Sequence, residues 1–422
     1  MSNSSLSKSN RKAIVLVIDG CGVGAAPDVQ SFGDRSDCNS MANTAKAVGG
    51  LKLPNLERMG LGHITKIEGV KAADQTNGLY GKLQEKSAGK DTQTGHWEMM
   101  GIVSSTPFRT YPDGFPQEIL DRFIKETGCK GVLVNKPYSG TEVIAKYGEE
   151  HQKTGYPIVY TSGDSVFQLA CHVDTIPLET QYKWCAIARE IMRGPHLIGR
   201  IIARPFKGEP GDYKRLSFER RDYGVKPPQP TFMDNFVDAG AGVLGIGKIE
   251  DIFDKQGVTH AQHTGTNKEG LELTLKAIKN EFDLKNHAVV KNAPDAVQFV
   301  FTNLVDTDML FGHRRDVQGY AGALTEIDHW LGEIMEAMSE QDVLLISSDH
   351  GNDPTAPGTD HTREFVPILA FSKALQKSSA PQHNLGVRDG FYDIAASLSS
   401  WFGIDWKGKG KSFLPQLSGV KQ

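Results

Sequence analysis

The sequence predicts an α/β fold in which a mostly parallel central sheet, flanked by helices, is interrupted by a smaller inserted α+β cap domain. Three observations predict it. Short uninterrupted apolar runs, Ala13–Ile18, 296–305 and 343–346, have the length and character of strands buried on both faces, and each runs into aspartates. The chain has 422 residues, beyond the roughly 250–300 at which one core stops growing. Two Pro/Gly-rich stretches, 106–116 and 223–230, bracket an interval that holds none of the acid-histidine clusters. The economical division is a core from 1–107 and 228–422, with 108–227 inserted.

Composition sets the class. Hydrophobic content of 39% and charged content of 23% describe an ordinary globular protein, and a net charge of −4 offers no electrostatic footprint for nucleic acid or an anionic membrane. The five cysteines (Cys21, Cys38, Cys129, Cys171 and Cys185) have no CxxC spacing, which argues against a disulfide framework and a thiolate zinc site. The N-terminal segment is polar, without an apolar signal region, and residues 1–10 are expected to be disordered. A cytoplasmic protein is expected.

Along the chain, Ala13–Ile18 reads as a central parallel strand ending at Asp19-Gly20. A carboxylate at the mouth of a buried strand either caps the turn or meets a cation. Residues 51–62 contain a short helix with Pro54 near its start. In 87–101, Gly89 and the hydroxyl residues indicate a loop that becomes a helix near Thr92 or Thr94. A hydroxyl there is an N-cap or, at the positive end of the helix, a nucleophile beside bound phosphate.

The inserted interval carries helical patterns at Gln117–Thr127 and 181–193 and short strands at 158–160 and 201–203. It also carries Arg200, Arg204, Lys207, Lys214, Arg215, Arg220 and Arg221, a run that is mostly a solvated face but could spare one or two groups to clamp a phosphoryl group. Asp164 either accepts from sugar hydroxyls or shapes a turn. The core resumes with a strand at 243–248 ending in Lys248. The run at 296–305 then delivers Asp306 and Asp308, with His313 five residues on. Residues 317–338 repeat Tyr320, Leu324, Ile327, Leu331, Ile334, Met335 and Met338 at helical spacing, leaving His329 off the apolar stripe.

The strand at 343–346 leads into Asp349-His350, a Pro/Gly-rich loop and Asp360-His361. One Asp-His pair reads as a solvated turn. Two pairs, eleven residues apart after a buried strand, read as a metal site, because ligands gather at the carboxyl ends of strands in open α/β sheets. Asp19, Asp308, Asp349, His313, His350 and His361, with a bridging hydroxyl, suffice for two cations. Oxygen and nitrogen donors without sulfur suit Mn²⁺ or Zn²⁺, with Mg²⁺ less at ease among imidazoles.

The strings IDG, GKDTQTGHWE, DTDMLFGH, SSDHGND and GTDHTRE resemble the alkaline phosphatase superfamily and, within it, the phosphopentomutase family, over nearly the whole chain beyond the polar tail. The resemblance implies an alkaline-phosphatase-like core and an isomerase of nucleoside catabolism. Its substrates would be ribose 1-phosphate or 2-deoxyribose 1-phosphate and the corresponding 5-phosphate, with a 1,5-bisphosphate intermediate. It further implies that Asp19, Thr92, Asp349 and His350 hold one metal and Asp308, His313 and His361 the other, usually Mn²⁺. Thr92, three residues before Gly95-His96, would be the phosphorylated residue, as the corresponding serine is in cofactor-independent phosphoglycerate mutases. Asp164, Arg200 and Lys248 would face the pentose phosphate, and a sugar bisphosphate such as ribose 1,5-bisphosphate or glucose 1,6-bisphosphate would be the activator. Gly163 departs from the alanine common in relatives, a matter of loop stiffness. The inserted domain closing over the site would exclude water. The metal residues alone do not separate transfer to sugar from transfer to water. A phosphatase or phosphodiesterase of the same superfamily is therefore the alternative, and a non-catalytic carbohydrate- or nucleotide-binding protein a third reading.

Overall fold

A computed structural model describes residues 11–376 and 384–414, so the tail expected to be disordered lies outside the described residues. The chain divides into two compact units: Phe108–Lys226, and the flanking segments up to Pro107 and from Pro227.

In the flanking unit, eight strands form one sheet in the order His260–Gln262, Val243–Ile246, Phe299–Leu304, Ala13–Ile18, Val343–Ser347, Val366–Phe371, Leu79–Leu83, Asn384–Arg388. Every neighbouring pair is parallel except the two that involve Val366–Phe371. The mostly parallel sheet expected from the apolar runs is what forms. All residues of Ala13–Ile18, Phe299–Leu304 and Val343–Ser347 are buried, and alternate side chains serve opposite layers. Ile14, Leu16 and Ile18 join the core of helix Val317–Ala337, whereas Phe299 and Phe301 meet Phe232, Phe236 and Phe253. Each such buried side chain contributes about 1.5–3 kcal/mol of transfer free energy.

Register then fixes where the chain emerges. Ile18 pairs with Leu304 and Val17 with Ser347, so Asp19 and Asp349 leave adjacent strands at the same level. Because Val366–Phe371 runs back antiparallel, the excursion 348–365 begins and ends at that one edge. Leu79–Leu83, antiparallel in turn to Val366–Phe371, ends at the same edge and feeds helix Thr92–Met99. After Phe299–Leu304 comes a π-helical turn, Thr307–Gly312, closed by His313 N donating to Asp308 O at 3.1 Å. Residue pattern did not signal it. Wide turns of this kind concentrate at functional sites.

The Phe108–Lys226 unit holds a six-stranded sheet in which Leu133–Pro137, Ile158–Thr161, Val166–His172, Arg200–Lys207 and Lys214–Arg215 follow one another and Arg221–Tyr223 also pairs with Arg200–Lys207. Helices Gln117–Thr127 and Leu178–Ile191 cover one face and Gly140–Thr154 the other. The second helix starts three residues before the expected 181, directly after Pro177, whose fixed φ suits a helix entry. All five cysteines are free and buried. Among the described residues no helix is long and apolar enough to cross a membrane.

Candidate metal centre

The carboxyl edge of the eight-stranded sheet gathers side chains from five segments. His350 Nε2 lies 3.4 Å from Asp19 Oδ1 and 3.4 Å from Asp349 Oδ2. His361 Nε2 lies 3.3 Å from Asp308 Oδ1, and His313 Nε2 lies 3.3 Å from Asp308 Oδ2 and 3.2 Å from His361 Nε2. The His350 and His361 rings stack at 3.7 Å. Asp19, Asp349 and His350 form one group able to hold a metal, and Asp308, His350 and His361 another.

The opposite nitrogen of each imidazole settles its tautomer. His313 Nδ1 sits 2.6 Å from Thr359 O, His361 Nδ1 2.9 Å from Lys90 O and His350 Nδ1 3.2 Å from Gly351 O. A carbonyl oxygen only accepts, so the proton is on Nδ1 and the Nε2 lone pairs converge on the carboxylates. This is how metal-ligating histidines are oriented. Amides brace the carboxylates: Asn303 Nδ2 donates to Asp19 Oδ2 at 2.9 Å and Asn352 Nδ2 to Asp308 Oδ1 at 2.7 Å. Among the described residues no donor hydrogen-bonds the buried Asp19 Oδ1 or Asp349 Oδ2.

The charge balance points the same way. Burial, and then the Asp349 and Asp308 carboxylates, push Asp19 well above its ordinary value. Burial brings His350 down to about 4, so its ring is neutral near pH 7. Burial opposes ionisation of Asp349 too, but the neighbouring His350 and His96 rings favour it, leaving its pKa at about 2 and the carboxylate ionised near pH 7. Positive charge from outside the chain is what this carboxylate and imidazole set lacks, and divalent cations fit the donors.

Thr92 is the first residue of helix Thr92–Met99, and its Oγ1 lies 3.3 Å from His350 Nε2. Thr94 is turned away: its Oγ1 donates to Asp91, whose carboxylate caps the helix by accepting from Thr94 N at 3.1 Å. The helix comes this close because residue 95 is glycine. A Cβ there would stand 2.1 Å from Asp349 O. One turn on, His96 Nδ1 reaches Thr92 O at 2.8 Å and lies 3.2 Å from Asp349 Oδ2. The preceding loop is pinned by buried Arg363, which donates to Gly89 O at 2.7 Å and Glu85 O at 2.9 Å and pairs with the Glu85 carboxylate.

Lys248 does not end its strand, which stops at Ile246. It precedes the short helix Ile249–Ile252, where its charge acts on Asp19. Asp164 and Arg200 belong to the other unit, where Arg200 pairs with Asp164 at 3.7 Å and Asp222 at 3.6 Å. His329 is exposed on its helix, off the buried stripe. Sequence reasoning missed His96, Asn303, Asn352 and Arg363. Asn303 carried a readable signal, an amide inside a buried apolar run, where it must find a polar partner.

A family model described as the Metalloenzyme superfamily matches residues 11–406. A phosphopentomutase from Caldanaerobacter subterraneus subsp. tengcongensis is 49% identical over 409 residues, 96% of this chain and 98% of that one. A phosphopentomutase from Carboxydothermus hydrogenoformans is 47% identical over 96% of this chain and 99% of its own. Among solved structures, the PH0037 protein from Pyrococcus horikoshii aligns over 95% of this chain and 99% of its own, with 15% identity and a TM-score of 0.49. A carboxylate and imidazole cluster with no thiolate, in a chain matched almost end to end at this identity, leads to one assignment: the chain belongs to the phosphopentomutase family, metal-dependent isomerases that act as intramolecular phosphotransferases.

Proposed function

We propose that the protein interconverts ribose 1-phosphate, or 2-deoxyribose 1-phosphate, with the 5-phosphate through phosphorylated Thr92 and a 1,5-bisphosphate. In this reading Asp19, Thr92, Asp349 and His350 hold one cation and Asp308, His313 and His361 a second. Bound there, divalent cations (Mn²⁺, with Zn²⁺ or Mg²⁺ as substitutes) would offset charge on the phosphoryl oxygens and make the Thr92 alkoxide accessible at neutral pH.

The chain's own residues set the geometry. Thr92 presents its hydroxyl oxygen at the positive end of a helix, which favours the phosphate it carries. Phosphothreonine 92 gives its phosphoryl group to the free hydroxyl of the sugar monophosphate, and the sugar turns end for end. The other phosphoryl group then returns to the Thr92 oxygen, leaving the isomeric monophosphate. Lys248 and Arg200 steady the phosphate that is not reacting, and Asp164 accepts from the sugar hydroxyls. A sugar bisphosphate such as glucose 1,6-bisphosphate charges Thr92 at the outset.

The place of Thr92 Oγ1 carries this reading, 3.3 Å from His350 Nε2 and among the converging ligands, while Thr94 is committed to the helix cap. Incubation with ribose 5-phosphate, Mn²⁺ and a trace of glucose 1,6-bisphosphate is expected to yield ribose 1-phosphate. Intact mass should show a single phosphoryl adduct that Thr92→Ala abolishes and Thr94→Ala retains. Free phosphate as the sole product would make the enzyme a hydrolase and end the proposal.

A further inference from the structure

One buried carboxylate in the flanking unit has no part in the ligand set and no cation of its own. Glu364 is 1% exposed, and among the described residues no lysine, arginine or histidine lies within ion-pair distance of it. Burial pushes its pKa up to about 7, and the Asp353 carboxylate acts in the same direction. A lone buried carboxylate is costly, so the groups that hold it are informative.

Four donors hold it. Gly24 N and Ser40 N donate to Oε2 at 3.1 and 3.0 Å, while Ser40 Oγ and Thr362 Oγ1 each donate to Oε1 at 2.7 Å. The two hydroxyls pass the constraint on, because a hydroxyl that donates its proton still accepts at its lone pairs. Ser40 Oγ accepts from Asn352 N at 3.0 Å, and Thr362 Oγ1 accepts from Asp353 N at 3.2 Å. Asn352 N is shared with Gly20 O at 2.8 Å, and Asn352 Nδ2 reaches Asp308 Oδ1 at 2.7 Å.

The carboxylate is closely seated. A Cβ on Gly22 would stand 2.1 Å from Glu364 Oε2, and one on Gly351 would stand 2.5 Å from Oε1. Gly351 N donates to Thr362 O at 3.1 Å, and Thr362 N donates back to Gly351 O at 2.8 Å. Residues 20–24, Ser40, 351–353 and Thr362 therefore close on one side chain. Asp19, His350 and His361 each adjoin one of those segments in the chain.

We propose that Glu364 is a positioning residue for the metal centre. Acting through the Ser40 and Thr362 hydroxyls, it fixes the 351–353 turn and with it the places of His350, His361 and, through Asn352, Asp308. The inference rests on the reading of those three residues as metal ligands and does not depend on the phosphothreonine steps.

The test is a competition titration of Mn²⁺ affinity, read beside the denaturation midpoint of the EDTA-treated protein. Glu364→Gln keeps the side chain's shape but replaces one acceptor oxygen with a donor, so it cannot take all four hydrogen bonds. It should weaken Mn²⁺ binding about tenfold, the low end for loss of a group that supports metal ligands. Ser40→Ala breaks one of the two relays and should weaken it less. In the double variant the losses should fall short of their sum, because both substitutions cut the same connection. A structural carboxylate supplies the control. Asp328 accepts from Asn55 N and Leu56 N at 3.1 and 2.8 Å, and Asp328→Asn should lower the midpoint while leaving Mn²⁺ affinity unchanged. The proposal is overturned if Glu364→Gln leaves Mn²⁺ affinity unchanged, whatever its midpoint, or if the losses in the two variants simply add. Should Glu364→Gln fail to fold, unchanged affinity in Ser40→Ala overturns it. Wild-type protein that takes up no Mn²⁺ would overturn the ligand reading itself, and this inference with it.

Discussion

The carboxyl edge of the eight-stranded sheet and the helix-covered face of the six-stranded sheet solve the same electrostatic problem with opposite signs. At the first, Asp19, Asp308 and Asp349 are buried among imidazoles whose Nε2 lone pairs add no positive charge. At the second, Arg200 pairs with Asp164 and Asp222, Arg220 with Asp222, and Arg204 and Arg215 with no carboxylate among the described residues. Burial makes an uncompensated charge expensive in either case. They differ in rigidity. The acidic centre rests on in-register strand ends and buried amides, whereas the basic one is completed by the exposed Arg215.

The sharpest way to break this contrast is at Thr92. Thr92→Ala should remove isomerisation and the phosphoryl adduct together and, by deleting one ligand, weaken the first cation while leaving the Asp308, His313 and His361 site able to load, checked by steady-state turnover, intact mass and metal content. Next comes the buried pair that holds the loop before Thr92. Arg363→Met strands Glu85 without its partner and should destabilise the flanking unit by about 3–5 kcal/mol, read as a lowered denaturation midpoint. The acidic centre should then show a reversal of sign. Asp19→Asn is expected to raise the thermal midpoint of EDTA-treated protein, by relieving repulsion with Asp349 and Asp308, and to abolish the stabilisation that Mn²⁺ gives the wild type. Asn303→Ala, which removes the amide from Asp19, should weaken metal affinity by about 10–100-fold in a competition titration.

The smallest effect belongs to the Phe108–Lys226 unit. His151 Nε2 accepts from His172 N at 2.9 Å while Nδ1 donates to Tyr156 O at 2.7 Å, an arrangement only the neutral ring can make. Burial holds its pKa below the ordinary 6.5. A lowered histidine pKa means the unfolded chain binds the proton more readily, so this contribution is present above pH 6.5 and lost as pH falls through and below it. Histidine NMR titration should find His151 resisting protonation below that value.

Much of the acidic centre was legible because its signals are local. Asp349-His350 and Asp360-His361 stand beside a buried run, and Asp308 and Asp19 follow two others. The supports were not legible. His96, Asn352 and Arg363 are ordinary residues until the helix, the π-helical turn and the returning strand bring them against their partners. The basic run at 200–221 was read as a mostly solvated face. Lys207, Lys214, Arg215 and Arg221 are indeed exposed, and pairing places Arg204 and Arg215 on the face toward Tyr160 and Gly140.

By itself, the order of residues determined the buried parallel strands, the donor types at their ends and the exclusion of thiolate chemistry, because periodicity and hydropathy act over a few residues. Tertiary structure alone set Thr92 beside His350 and Thr94 in the helix cap, gathered candidate ligands hundreds of positions apart, and left Arg204 without an ion-paired carboxylate among the described residues. Those outcomes depend on strand register and on how closely a helix can approach at Gly95 or Gly140, and both are set by packing between segments that do not adjoin in the chain.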